Sequence, residues 1–247
     1  MKLEKPLTEK TALITGASSG IGRETARILS RDGADVAIAA RRIKELEKIA
    51  NKIEERYDAE ALAIQTDVRE EKQVRSMIDK TIEQFGSLDI VVNNAGLSRG
   101  DGVENMTTEE YKTMMETNTH GMFYTTRESL PYLKKSEGNL IYIGSIAGQY
   151  PRPFNPVYAA TKWWTRGFAL SVESEVGDKN VAVTVINPSE VRTEFGDGEK
   201  AKEKYEKGEV IEPEEVAEAV SFASRQENST ISELDIYRRN KLSDVVR

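Results

Sequence analysis

Three polar residues in the stretch SIAGQYPRPFNPVYAATK, residues 145–162, have types and spacing that could do chemistry: Ser145, Tyr158 and Lys162. Tyr158 and Lys162 stand four apart in a segment with helical patterning, which sets both on one face. A free phenol has a pKa of about 10 and is a poor base at neutral pH. A neighbouring ammonium favours the phenolate and lowers that value. A phenol tuned in this way can serve as general acid toward a carbonyl oxygen and as general base toward an alcohol. Ser145 can hold the same oxygen and donate to it as charge develops. An exposed Tyr–Lys helix pair has the same spacing, so the pair needs support from elsewhere in the chain.

That support begins at TGASSGIG, residues 15–22. Gly16, Gly20 and Gly22 follow an apolar, strand-like run and open a helix-like one. In that context glycines let the backbone turn and approach a pyrophosphate at the helix N-terminus. A plain strand-to-helix turn needs only one glycine. The ribose of a dinucleotide is read at the end of the second strand, where an acidic residue usually holds a free 2′-hydroxyl. In GADVAIAARR that place is Ala40, followed by Arg41 and Arg42. A guanidinium suits a 2′-phosphate through bidentate, charge-assisted bonds. The expected cofactor is therefore NADP(H) rather than NAD(H).

TGASSGIG, NNAG at 93–96, Asn118, Ser145, YAATK at 158–162 and NPSEVRT at 187–193 together resemble the short-chain dehydrogenase/reductase family in order and spacing. The resemblance covers nearly the whole chain. It implies hydride transfer between C4 of a nicotinamide and a carbonyl carbon, with no metal. It implies a catalytic set of Asn118, Ser145, Tyr158 and Lys162. Lys162 would grip the nicotinamide ribose, and Asn118 would hold a water linking Lys162 to solvent. Besides Arg41 and Arg42, the implied cofactor contacts are Gly16, Ser18, Ser19, Gly20, Ile21 and Gly22 in the first loop. Asp67 and Val68 match the adenine contact; Asn94, Ala95 and Gly96 match the wall behind the nicotinamide. Pro188, Val191 and Thr193 follow the sixth strand, with Thr193 at the carboxamide or phosphates. Ser18 and Ser19 stand where many NADP-preferring relatives carry a basic residue, and Pro188-Ser189 where Pro-Gly is usual.

The same resemblance places a mobile substrate lid at 193–212. Gln149, Tyr150, Arg152, Phe154 and Asn155 bridge Ser145 and Tyr158 and are candidates to line the pocket. Arg152 and Arg99 are candidates to bind an anionic group; Tyr150, Phe154 and Val157 suit an apolar ketone. The ending ISELDIYRR is more like relatives acting on 3-hydroxy acids or simple secondary alcohols than acyl-reducing ones. Alongside a carbonyl reductase or alcohol dehydrogenase, the open readings are a 3-oxoacyl-thioester reductase, a 3-hydroxy acid dehydrogenase, and a cofactor-sensing binding protein. Trp163 and Trp164 fall on a helix that in the family packs against its twin, implying a homodimer or homotetramer. His120, the only histidine, is expected in a surface or packing role.

The elements that must position these residues are legible as alternating runs. Apolar stretches TALITG, ADVAIAA, ALAIQTD, LDIVVNNAG, NLIYIGS, NVAVTVINP and ISELDIY read as strands. Amphipathic stretches 21–30, 43–56, 70–85, 107–133, 157–176 and 213–225 read as helices. Strands that are apolar throughout and alternate with helices imply a parallel sheet covered on both faces. The expected fold is α/β, a single-domain, Rossmann-like, doubly wound sheet over residues 1–247. Its ligands belong beyond the carboxyl ends of the strands. The chain carries 42 acidic and 35 basic residues, a net charge of −7 that disfavours nucleic acid. No apolar run approaches the roughly 20 residues that span a bilayer, and the N-terminus shows no secretory signal. With no cysteine, disulfides and thiolate sites are excluded. The expected setting is the cytoplasm, without a membrane or nucleic-acid partner.

Overall fold

The computed structural model describes residues 5–100, 102–152, 154–193 and 210–239. Seven strands form one sheet in the order β3-β2-β1-β4-β5-β6-β7. They are β1 Thr11–Thr15, β2 Asp35–Ala40, β3 Ala61–Gln65, β4 Ile90–Asn93, β5 Asn139–Ile143, β6 Ala182–Pro188 and β7 Glu233–Ile236. Every neighbouring pair is parallel. The connections carry α1 Gly20–Arg31, α2 Ile43–Arg56, α3 Glu71–Phe85, α4 Thr108–Met115, α5 Gly121–Ser136, α6 Pro156–Val176 and α7 Pro213–Ser224.

The apolar runs are continuous because both faces of each central strand are covered. Successive side chains of a strand point to opposite faces. Ala12 and Ile14 of β1 join a core with Leu29, Leu46 and Val220 from α1, α2 and α7. Leu13, between them, joins the opposite core with Met77, Met122 and Val172 from α3, α5 and α6. Two cores back to back on one parallel sheet make the doubly wound, Rossmann-like fold. Strand order reverses between β1 and β4, so the crevice for a ligand opens beyond their carboxyl ends.

One expected element is divided. The sequence predicts a single helix over 107–133, with Thr107 or Thr108 as its cap. Thr107 does cap α4, in a reciprocal capping box with Glu110. At Glu116–His120, however, the helix widens by one residue per turn before α5 begins, and the Gly121 amide bonds back to the Glu116 carbonyl. Such widened turns recur at functional sites. Here the turn carries Asn118, whose amide is drawn to backbone outside the helix.

Residues 194–209 of the expected lid lie outside the described residues. Its two ends meet: Val191 and Ile211 form a bridge, with the Arg192 amide donating to the Ile211 carbonyl at 2.9 Å. Among the described residues, no helix is long and apolar enough to cross a membrane.

Candidate active site

The acid/base candidate is set at the start of α6. Asn155 caps that helix from a left-handed conformation, φ 49°, and Pro156 occupies the first helical position. The Asn155 Oδ1 accepts from the Tyr158 amide at 3.0 Å. Its Nδ2 donates to Ser98 Oγ at 2.8 Å and to the Arg99 carbonyl at 2.9 Å. Asn155 thus clamps the loop after β4 to the helix that carries Tyr158, rather than merely lining a pocket. Its signal in the sequence was the Asn-Pro pair ahead of a helical run.

Ser145 follows β5. Its Oγ accepts from the Ala147 amide at 3.1 Å, and its hydroxyl is hydrogen-bonded to the Tyr158 phenol. Lys162, one helical turn on, is buried, and its Nζ donates to the Ile143 carbonyl at 2.8 Å. Nζ lies 5.9 Å from the centre of the Tyr158 ring. Burial pushes the Lys162 ammonium down to about 8. It pushes the Tyr158 phenol up, while the Ser145 hydrogen bond and the Arg152 charge pull it back. The sequence expected Lys162 to be the acidifying cation. Beside it stands a second cation: Arg152, whose Cζ lies 5.8 Å from the phenol ring centre, also pulls on the phenol.

Asn118 comes to the same place and serves as a brace. Its Nδ2 donates to the Leu97 carbonyl at 2.8 Å and to Thr161 Oγ1 at 3.1 Å, and its Oδ1 accepts from the Leu97 amide at 2.9 Å. A Cβ built on Gly96 would lie 3.4 Å from Asn118 Oδ1 and 3.9 Å from Lys162 Nζ, so these residues converge.

The glycine loop is stitched to the segment after β4. Thr15 Oγ1 accepts from the Asn94 and Ala95 amides, each at 3.1 Å. Asn94 Nδ2 donates to the Thr15 carbonyl at 2.8 Å and to the Gly16 carbonyl at 3.2 Å. Two glycines are required by this closeness. Gly16 has φ +67°, and a Cβ on it would lie 2.8 Å from Ala95 Cα. A Cβ on Gly22 would lie 2.5 Å from Asn94 Nδ2. Asn94 therefore holds the loop's shape. Ile21 packs against the core beside it.

Beyond the loop, Ser19 precedes α1 without capping it through its side chain, and no acid occupies the first turn. Instead Arg42 Nε donates to Ser18 Oγ at 3.1 Å and its Nη2 to Ser19 Oγ at 2.7 Å. Arg41, Gln65, Asp67 and Gln73 line an adjoining polar hollow. Asp67 is paired with Arg69 at 2.6 Å, which holds its carboxyl below the usual range. Val68 is buried in the core. At the other end Pro188 closes β6, and Thr193 reaches the loop: a Cβ on Gly20 would lie 3.0 Å from its Cγ2. An uncapped helix N-terminus with two guanidinia and two hydroxyls beside it fits a dinucleotide that carries an extra phosphate.

Not every expected residue gathers here. Gln149 turns to β7, donating to Asp235 at 2.7 Å and accepting from Tyr237 at 3.4 Å. Arg99 and Tyr150 are exposed. Phe154 is exposed but carries the Arg152 guanidinium 4.0 Å from its ring centre. His120 is exposed, in keeping with its expected surface or packing role. The role that sequence reasoning missed is that of Arg152, because its proximity to Tyr158 depends on how the loop between β5 and α6 folds.

A family model described as short chain dehydrogenase matches residues 10–204. The chain belongs to the short-chain dehydrogenase family. It is 35% identical over 241 residues to an NADP-dependent 3-hydroxy acid dehydrogenase of Schizosaccharomyces pombe, covering 94% of this chain and 93% of the relative. Among solved structures it is similar to an alcohol dehydrogenase of Thermococcus sibiricus complexed with 5-hydroxy-NADP. That match has 33% identity and a TM-score of 0.85, over 93% of this chain and 98% of the other. A short chain dehydrogenase of Burkholderia cenocepacia in complex with NADP matches with 27% identity and a TM-score of 0.85, over 94% and 98% of the two chains.

Proposed function

We propose that this chain, an oxidoreductase of the short-chain dehydrogenase family, interconverts a carbonyl and a secondary alcohol with NADP(H). One observation carries the reading: the Tyr158 phenol is bonded to the Ser145 hydroxyl beside the buried Lys162. The cofactor assignment is supported by the NADP dependence of the S. pombe relative and by the NADP-type ligands of the two solved structures.

Gly16, Gly20, Ile21 and Gly22 would hold the pyrophosphate, and Arg41, Arg42, Ser18 and Ser19 the 2′-phosphate. Asp67 and Val68 would border the adenine. Asn94, Ala95, Gly96, Pro188, Val191 and Thr193 would flank the nicotinamide end. When bound, the cofactor supplies or accepts a hydride. Tyr158 Oη gives a proton to the carbonyl oxygen in reduction and takes one from the hydroxyl in oxidation. Ser145 donates to the same oxygen as negative charge builds on it. Lys162 supports the phenol and the ribose; Asn118 and Asn155 keep both in place. A 3-hydroxy acid dehydrogenase is the second reading, favoured by the name of the S. pombe relative. One catalytic domain, a lid over 193–212, a cytoplasmic setting and pairing with further copies of the chain belong to the same proposal.

Tyr158→Phe tests it. Turnover of carbonyls with NADPH should fall on the order of 10³-fold, the scale of a lost general acid. NADPH binding, followed by fluorescence titration, should hold. Undiminished turnover overturns the assignment of the acid.

A further inference from the structure

We infer that Arg152 selects the substrate by binding a carboxylate close to the reacting carbon, so that the enzyme acts on short oxo and hydroxy acids. The inference rests on the carbonyl–alcohol reading above and names its substrate class.

Arg152 lies on the loop from β5 to α6, between Ser145 and Tyr158. Its Cζ is 4.0 Å from the centre of the Phe154 ring and 5.8 Å from that of Tyr158. The guanidinium therefore stands beside the ring whose phenol would meet the substrate oxygen. Arg152 also differs from three other half-buried arginines. Arg27, Arg69 and Arg166 each bond a carboxylate at 2.6 Å. Arg152 has neither an ion pair nor a hydrogen bond with any described residue. A guanidinium withdrawn from water without an anion is costly, and burial accordingly lowers its pKa. Phe154 supports one face of the planar group, which leaves its edges for two parallel bonds to a carboxylate.

The local charge favours a carboxylate over a phosphate. Glu190 acts on Arg152 through its charge. One guanidinium with an acid nearby suits a monoanion and works against a dianion. The Tyr158 phenol faces Arg152 as well, and its proton departs more readily beside that charge.

The test compares 3-hydroxybutanoate with its methyl ester, each oxidised with NADP+, in the wild-type enzyme, Arg152→Met and Arg152→Lys. The wild type should prefer the acid. Arg152→Met should lower the acid-to-ester ratio of kcat/KM by about 10²-fold, mainly through KM, as loss of a charge-assisted bidentate contact implies. Arg152→Lys should restore part of that ratio. Butanoate, which has no hydroxyl to oxidise, should inhibit the wild type competitively and Arg152→Met far less. A ratio unchanged in Arg152→Met, or a wild type indifferent to the acid, overturns the inference while leaving the carbonyl–alcohol reading intact. Stronger competitive inhibition by inorganic phosphate than by butanoate, at saturating NADP+, overturns the choice of carboxylate. Turnover of neither substrate class, nor of any ketone with NADPH, overturns both readings.

Discussion

Lys162 carries an energetic conflict that stability alone does not explain and the proposed function would. Its ammonium is buried and donates to the Ile143 carbonyl. Burial lowers its pKa from 10.5 to about 8. Between those two values the unfolded chain binds the proton that the folded chain has lost. The penalty is therefore complete below pH of about 8 and fades as pH rises toward 10.5. Lys162→Met removes the buried charge and keeps most of the volume. At pH 7 it should be more stable than the wild type by about 1–3 kcal/mol while losing turnover, a stability–activity trade-off. Urea unfolding at pH 7 and at pH 10 checks this, with the gap smaller at the higher pH. A variant less stable at pH 7 would mean that the bond to Ile143 outweighs desolvation. The site was legible at this scale because its residue types and spacing are local facts. That Arg152 also acts on the phenol was not legible, because it reaches the ring only through the shape of a loop.

At the scale of elements, chemistry is gathered by the turns at the carboxyl ends of β1, β2, β4 and β5. The turn after β2 makes the sharpest claim. Arg42 precedes α2 and crosses to the hydroxyls of Ser18 and Ser19, tying that turn to the glycine loop. A group that binds both turns at once should depend on this contact. Arg42→Ala should weaken NADPH binding by about 10–100-fold and NADH binding by less than about 3-fold, the difference being the charge-assisted contacts to the 2′-phosphate. Equal losses for the two cofactors, read by fluorescence titration, would leave Arg42 a purely structural brace. Periodicity announced these elements well: α2 spans 43–56 as its apolar face predicts, and each expected strand forms. Periodicity does not register the widened turn at Glu116–His120. A single extra residue per turn barely changes the apolar pattern, and its cause, the Asn118 bonds to Leu97, lies outside the helix. The brace formed by Asn94 was hidden for the same reason: its partners are carbonyls of a distant loop.

At the scale of the whole molecule, an aromatic cluster on one side of the sheet is only partly covered among the described residues. Trp164 stacks on Phe168 with ring centres 4.6 Å apart, and Phe123 meets Phe168 at 6.3 Å. Phe123 remains 38% exposed, with the Arg127 guanidinium 5.3 Å from its ring centre. Such aromatic patches, rimmed by charge, mark association surfaces. A twofold pairing would bring the same patch from two copies together. Sedimentation should then give a mass that is a multiple of 27.6 kDa. Phe123→Glu would place a carboxylate on both sides of that contact. It should weaken association at least about tenfold, the equivalent of 1.4 kcal/mol. A wild type that sediments as a single chain at micromolar concentration would overturn the interface. The stake reaches the active site, since Phe123 follows the turn holding Asn118, and Phe168 shares α6 with Tyr158 and Lys162. Both helices that brace the proposed acid/base pair thus present aromatic surface on this side, and if copies pair there, dilution should lower specific activity as they separate.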